Sequence, residues 1–312
     1  MGRVVVVGAG VLGLSCAVRL LEDGHRVDVL ARDLPRETTS AVAAAIWYPY
    51  RAWPADRVLA WARDSYGAFA ALAAEQPESG VAMREGTEVV AQPAGLIREK
   101  PWWSEAVPDL RETVVVPGGY DGGWTFTAPL VEMPIYLDWL AGRVLALGGS
   151  ITRLNLHALP TTGNGGPQAV VDCSGIGAKF LAADPSVHPV QGQVVLVEQV
   201  GLERWWLDSV GPEGPLYVVP RSHDVVVGGT SVEGEWSRTP SPDVASAILR
   251  RALRLVPELA GAEVLGHRVG LRPARPEVRL ERVGDVVHCY GHGGAGVTLS
   301  WGCAREVAEL LG

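Results

Sequence analysis

Two glycine-rich stretches could bring backbone against a ligand. The first is Gly8-Ala-Gly-Val-Leu-Gly13. The second is Tyr290-Gly-His-Gly-Gly-Ala-Gly-Val-Thr-Leu-Ser-Trp-Gly302, close to the other end of the chain. Glycine has no Cβ, so its backbone can approach a flat or charged ligand closely. The first stretch has the spacing Gly-x-Gly-x-x-Gly. In that spacing Gly8 makes a tight turn, Gly10 lets a pyrophosphate reach a helix N-terminus, and Gly13 lets helix and strand pack closely. Ala9, Val11 and Leu12 offer backbone to the same cradle. An acid about 20 residues beyond the last glycine would hold an adenosine ribose, and Asp33, beside Arg32, stands there. The expected ligand is a dinucleotide; this loop alone does not choose between NAD(P) and FAD.

Such a cradle needs a strand leading in and a helix leading out. Arg3 to Val7 has the apolar run of a short buried strand. Val11 to Asp23 has helical character and is ended by Gly24. Arg26 to Leu30 supplies a second strand, completing a βαβ unit. Further helices are expected over 56–74, over 129–146 with Pro129 near its start, and after Ser241-Pro242, an N-cap and N1 pair. Between 187 and 236 the pattern turns to strands: Gln193–Val197, Leu216–Val219 and Asp224–Val227. Pro220-Arg-Ser-His223 joins the last two as a hairpin. Val286–Cys289 reads as another buried strand and Trp301–Leu311 as a closing helix. The fold class is α/β. A Rossmann-like domain is expected from residues 1–46, 140–186 and 268–312. An inserted α+β domain, built on a mixed antiparallel sheet, takes residues 47–139 and 187–267.

Composition narrows the partners. The 312 residues are 47% hydrophobic and 20% charged, with a net charge of −8, which argues against general affinity for nucleic acid. Cys16, Cys173, Cys289 and Cys303 show no metal-ligand spacing and read as small core residues, so no metal is expected. No signal peptide, membrane-spanning apolar run or peroxisomal tripeptide is recognisable. The expectation is a soluble cytoplasmic protein, compatible with a homodimer.

A third segment is Thr38-Thr-Ser-Ala-Val-Ala-Ala-Ala-Ile-Trp-Tyr-Pro-Tyr50. Its small residues could let backbone amides reach a flat ligand, and its hydroxyls could bond phosphate. The same composition also fits an Ala-rich helix N-terminus. Taken with Gly8–Gly13, Ala31-Arg-Asp33, Val171-Asp-Cys-Ser-Gly175, Gly270-Leu-Arg-Pro-Ala-Arg-Pro-Glu-Val-Arg-Leu-Glu281 and Tyr290–Cys303, the chain resembles the D-amino-acid and D-aspartate oxidase family. The matching stretches keep the family's order and span nearly the whole chain.

The resemblance implies an FAD-binding domain of the glutathione-reductase/hydroxylase type holding an extended, noncovalent FAD. Its expected contacts are Gly8, Ala9, Gly10, Val11, Leu12, Gly13, Arg32 and Asp33 at the nucleotide end. Thr38, Thr39, Ser40, Ala44, Ala45, Ile46, Leu154, Ser174 and Gly175 follow. Gly293, Gly294, Gly296, Val297 and Thr298 would cradle the flavin ring. A helix N-terminus there would favour the negative charge of reduced flavin. The implied reaction is oxidative deamination of a neutral D-amino acid to a 2-oxo acid and ammonia, with O₂ reduced to hydrogen peroxide.

That chemistry needs a carboxylate clamp, and the arginine fork matches a carboxylate bidentately. By residue type the candidates are Arg268, Arg272, Arg275 and Arg279; the resemblance selects Arg272. It also implies that Tyr217 helps hold the carboxylate and that the Gly294 carbonyl accepts from the substrate amine. No side-chain base is then required. His292 could be a base or could fix the loop by a hydrogen bond. Trp47, Tyr48 and Tyr50 are candidate pocket walls. The chain departs from the family in two places. Tyr48 replaces a side-chain amide of eukaryotic members. Glu213, in the short turn Gly211–Pro215, replaces a vertebrate lid tyrosine, which implies a short or absent lid. Arg221 and His223 are the candidates for the second cation that D-aspartate would need. Oxidation of D-aspartate, glycine or sarcosine, and a dehydrogenase with another electron acceptor, are the alternative activities.

Overall fold

The computed structural model describes residues 2–91, 99–163 and 165–312. The chain runs β1 (Arg3–Val7), α1 (Val11–Glu22), β2 (Arg26–Ala31), α2 (Ala55–Glu75), β3 (Val81–Val90), β4 (Arg111–Thr113) and β5 (Gly122–Val131). It continues through α3 (Met133–Ala146), β6 (Ser150–Arg153), β7 (Ala169–Asp172), α4 (Ala178–Leu181), β8 (His188–Glu198) and β9 (Trp205–Asp208). Last come β10 (Leu216–Pro220), β11 (Asp224–Gly228), β12 (Val232–Glu233), α5 (Pro242–Leu255), β13 (Val264–Val283), β14 (Val286–His292) and α6 (Gly296–Leu311).

The described strands form one open sheet in the order β4-β5-β3-β9-β10-β11-β8-β13-β14-β7-β1-β2-β6, with β12 on β8. From β14 to β6 every pairing is parallel. Such strands are covered on both faces and read as continuous apolar runs, which is why Val4–Val7 are all buried. On the other side of β14 the pairing is antiparallel except between β3 and β9. β13 joins the two regions. Its first part pairs with β8, its last part with β14, and the β14 register is broken between Ala274 and Arg279. Pro273 and Pro276 lie at this change of partner, where a residue without an N–H interrupts the ladder least.

The βαβ unit forms as expected. α1 packs on both α3 and α6, and α2 packs on α6. The second contact is close because Gly302 faces the Trp61 backbone; a Cβ there would stand 2.4 Å from Trp61 Cα. Two expected boundaries move. The helix anticipated from Pro129 starts at Met133, with Pro134 in its first turn. Pro129 lies in β5, opposite Met83. β5 is buried on both faces along most of its length, so it lacks the alternation that marks a strand. The last helix begins at Gly296, not Trp301, so the second glycine stretch leads straight into it. No helix among the described residues is long and apolar enough to cross a membrane.

Candidate active site

The two glycine stretches occupy equivalent positions. Each follows a buried parallel strand and opens a helix. In the first, Gly8 has φ +112°, and a Cβ there would stand 2.4 Å from the Cys173 carbonyl oxygen. A Cβ on Gly13 would stand 1.9 Å from the Gly8 carbonyl oxygen. Both glycines are required by neighbouring backbone. Val11 N–H donates to Ser40 Oγ at 3.0 Å. The Leu12 and Gly13 amides belong to the first turn of α1, where no intrahelical acceptor exists. In the second stretch Gly291 and Gly293 have φ +84° and +54°, and α6 opens at Gly296. The stretches touch: a Cβ on Gly296 would lie 3.3 Å from Leu12 Cδ2.

One cavity of ≈ 410 Å³ runs between them. Of the expected cofactor contacts, Gly8, Ala9, Gly10, Val11, Leu12, Arg32, Asp33, Thr38, Thr39 and Ser40 line it, as do Leu154, Ser174, Gly175, Gly293, Gly294, Gly296 and Val297. Gly13, Ala44, Ala45, Ile46 and Thr298 are not among the lining residues. Gly13 sits behind the loop it allows to form. The Ala45 carbonyl accepts from Val131 N–H and Trp47 N–H donates to the Pro129 carbonyl, both at 2.9 Å, so residues 45–47 are stitched to β5. Thr298 Oγ1 bonds the Tyr48 backbone N–H and carbonyl, both at 3.0 Å, and pins that segment to α6. The cavity also takes in Val42, Ala43, Cys173, Gly192, Gly270 and Cys289, which sequence reasoning missed.

The cavity suits an extended dinucleotide by its own construction. Two helix N-termini open onto it, glycine backbone forms its floor at both ends, and the buried Ser174 Oγ has no hydrogen-bond partner among the described residues. Asp33 reaches it while paired with Arg32 at 2.6 Å.

At the Gly293–Gly296 end the four arginines separate. Arg275 pairs with Asp184 at 2.9 Å. Arg279 pairs with Glu281 at 2.6 Å and donates to Tyr290 Oη at 2.6 Å. Arg268 is exposed and donates to the His267 carbonyl. Arg272 lines the cavity; Nη1 donates to the Thr230 carbonyl at 2.8 Å, and no acidic side chain pairs with it among the described residues. Its guanidinium lies against Gly192, where a Cβ would stand 2.4 Å from Nη2. Tyr217 lies in the same way on Gly228 and Gly229: Cβ atoms there would stand 2.4 and 2.7 Å from its hydroxyl. Gly294 is adjacent, its Cβ position 3.6 Å from Arg272 Cδ and 2.8 Å from Tyr50 Cδ1. Arg272, Tyr217 and Gly294 thus all line this one cavity.

Tyr48 is not among the lining residues. Its hydroxyl donates to Glu88 at 2.6 Å and lies 3.2 Å from Ser209 Oγ. Burial, with the Glu88 charge, pushes the Tyr48 hydroxyl well above its ordinary pKa. Burial likewise raises the Glu88 carboxyl. Trp47 is buried against Tyr66 and Trp103. His292 is buried and lines the cavity, with Nε2 3.4 Å from Cys303 Sγ. Arg221 lines a separate cavity of ≈ 270 Å³, donates to the Ala43 carbonyl at 3.1 Å, and is held below its ordinary pKa by burial. His223 is exposed on the hairpin. The Gly211–Pro215 segment is a short turn closed by Gly214 N–H on the Gly211 carbonyl, and Glu213 pairs outward with Arg254 at 3.1 Å.

The family model described as FAD dependent oxidoreductase (DAO) matches residues 3–310. The sequence is 50% identical to a D-amino-acid oxidase of Rubrobacter xylanophilus over 319 aligned residues, covering 100% of this chain and 96% of that protein. It is 44% identical to a D-amino-acid oxidase of Streptomyces coelicolor, covering 99% and 96%. The fold is similar to that of glycine oxidase from Geobacillus kaustophilus, with a TM-score of 0.84 at 22% identity over 100% of this chain and 95% of that one.

Proposed function

The chain belongs to the FAD dependent oxidoreductase family, and from that premise we infer that it oxidises D-amino acids to 2-oxo acids, ammonia and hydrogen peroxide. The observation that carries the residue assignment is Arg272: a guanidinium on the cavity wall without an acidic partner among the described residues, beside Tyr217 and Gly294. A charge left unpaired in a protein is costly unless a ligand completes it. A substrate carboxylate completes this one, and Arg offers it parallel donors.

When bound, FAD supplies the acceptor for the substrate hydride and passes the electrons to O₂. The chain's own residues orient the substrate. Arg272 and the Tyr217 hydroxyl hold the carboxylate, and the Gly294 carbonyl accepts from the neutral amine. With carboxylate and amine both fixed, the direction of the Cα–H bond is set, which selects one enantiomer. The first-turn amides of α6 favour negative charge at that end of the cavity. No side chain has to take a proton from carbon.

Neutral side chains are the preferred substrates. Arg221 and His223, the cations that could have served D-aspartate, lie outside this cavity. The change from parallel to antiparallel pairing at β14 and β13 supports dividing the chain into a cofactor-binding unit (1–46, 140–186 and 268–312) and a substrate-binding unit (47–139 and 187–267). The test is optical. The purified protein should be yellow, bleach anaerobically with D-alanine but not L-alanine, and recover colour with peroxide on admission of air. Bleaching by both enantiomers, or by neither of a panel of D- and L-amino acids, overturns the reading.

A further inference from the structure

Spacing along the chain gives the cysteines no metal-ligand pattern, yet the fold gathers all of them. Cys16 comes from α1, Cys173 from the loop after β7, Cys289 from β14 and Cys303 from α6. All are free thiols and all are buried. The sulfurs of Cys16, Cys173 and Cys289 lie within 4.8 Å of one another, with Cys16 and Cys173 3.9 Å apart. Cys289 also belongs to a second group, with His292 and Cys303, whose ligand atoms lie within the same 4.8 Å.

A buried thiol alone is a small apolar filler. Three thiols within 4.8 Å of one another, drawn from a helix, a loop and a strand, form a donor set. We propose that Cys16, Cys173 and Cys289 form a site for a soft monovalent metal ion of the copper(I) type, set in the floor of the cofactor cavity. The geometry suits it. Metal–sulfur bonds of about 2.3 Å in a trigonal plane place the sulfurs roughly 4.0 Å apart, so the thiols need little movement to close on an ion. Donor chemistry selects the ion: an all-sulfur set favours soft metals over magnesium, calcium or manganese. The sulfurs bind as thiolates, so each coordinating cysteine gives its thiol proton to solvent as the monovalent ion enters, and retention should strengthen as pH rises. The group containing His292 mixes nitrogen with sulfur and is the alternative for a borderline ion such as zinc.

Access and consequence follow from position. Cys173 and Cys289 line the cofactor cavity, so an ion reaches the site from there. The Cys173 carbonyl is the atom against which Gly8 packs. An ion on these sulfurs therefore ties together α1, β7 and β14, the elements beneath the nucleotide end. FAD covers the route, so uptake should slow as free FAD is raised.

The test uses holoenzyme equilibrated anaerobically with copper(I) against an excess of bathocuproine disulfonate, followed by copper analysis and by ultraviolet thiolate-to-copper absorption. The expected result is one copper(I) per chain. Cys16→Ala and Cys173→Ala should each weaken retention by roughly 100-fold, while Cys303→Ala and His292→Ala should change it by less than roughly threefold. Flavin absorbance and the unfolding midpoint check that each variant is folded. Cys16 does not line the cavity, so its variant stands if Cys173→Ala loses cofactor. Holoenzyme that retains no copper(I) at equilibrium overturns the proposal. So does retention that survives Cys16→Ala but is lost in Cys303→Ala, which places the ion in the other group.

Discussion

At the β1–α1 loop the missing Cβ atoms of Gly8 and Gly13 would run into backbone, at 2.4 and 1.9 Å. At the β14–α6 loop the missing Cβ atoms of Gly294 and Gly296 would meet side chains, Tyr50 at 2.8 Å and Leu12 at 3.3 Å. Side chains can move aside; carbonyl groups locked in a sheet-to-helix turn cannot. The same strand–glycine–helix construction is therefore constrained differently at its two ends. The nucleotide end is limited by the fold itself. The other end is limited by what must lie against it, and it carries the residues proposed to bind substrate. Substitutions at the two ends should separate stability from turnover.

The largest effect belongs to Arg272→Leu. It should lower kcat/KM by an amount equivalent to roughly 2–5 kcal/mol of transition-state stabilisation, as for a truncated charge pair. The urea midpoint should stay close to that of the parent, because no internal acid loses its partner. A loss below tenfold in kcat/KM would remove Arg272 from the site.

Gly13→Ala comes next and should act on folding. With backbone 1.9 Å from the new methyl group, the cost is about 3 kcal/mol or more, seen as a drop in the urea midpoint and in FAD retained on purification. If Gly13→Ala keeps its stability to within about 1 kcal/mol, the contrast between the loops collapses. Gly294→Ala should do the reverse: near-parental stability, with kcat/KM down roughly 10- to 100-fold, equivalent to about 1.4–2.7 kcal/mol. A stability loss as large as that of Gly13→Ala would show that the second loop is fold-limited too.

The contrast was partly visible in the sequence. The first loop is legible because its three glycines, strand and helix fall within one short window. The second was legible as backbone approach, but its helix start was hidden by Gly296, Val297 and Thr298, which are poor helix formers. Arg268, Arg272, Arg275 and Arg279 look alike in sequence. What separates them is pairing: Arg275 meets Asp184, 91 residues earlier in the chain, and Arg279 takes Tyr290 and Glu281. Gly228 stands opposite Tyr217, and Gly192 stands opposite Gly270, two residues before Arg272, so their roles depend on register. Tyr48 kept its place in the chain, but its hydroxyl turned towards Glu88. The thiol cluster is the extreme case: Cys16, Cys173 and Cys289 come from three separate parts of the chain, and no spacing marks it.

The smallest effect sharpens the comparison from behind the second loop. With little backbone locking its glycines, that loop depends on the Tyr290 side chain, whose hydroxyl donates to Asp184 at 3.1 Å and accepts from Arg279. Burial alone would raise the Asp184 carboxyl, but hydrogen bonds from Ser186 and Tyr290 and the charge of Arg275 hold it down to about 2. A carboxylate depressed in the folded state stabilises fully above its unfolded pKa of about 3.9, and that contribution is lost as pH falls through the folded value. The parent should therefore lose this stability between roughly pH 4 and pH 2. Asp184→Asn removes the titrating group, so its unfolding midpoint should be lower at neutral pH and should fall less steeply across that window. Urea titrations followed by tryptophan fluorescence at a series of pH values measure both slopes. Parallel profiles would mean that Asp184 does not brace the loop. A flatter profile for Asp184→Asn would assign part of the acid sensitivity to this brace behind the second loop.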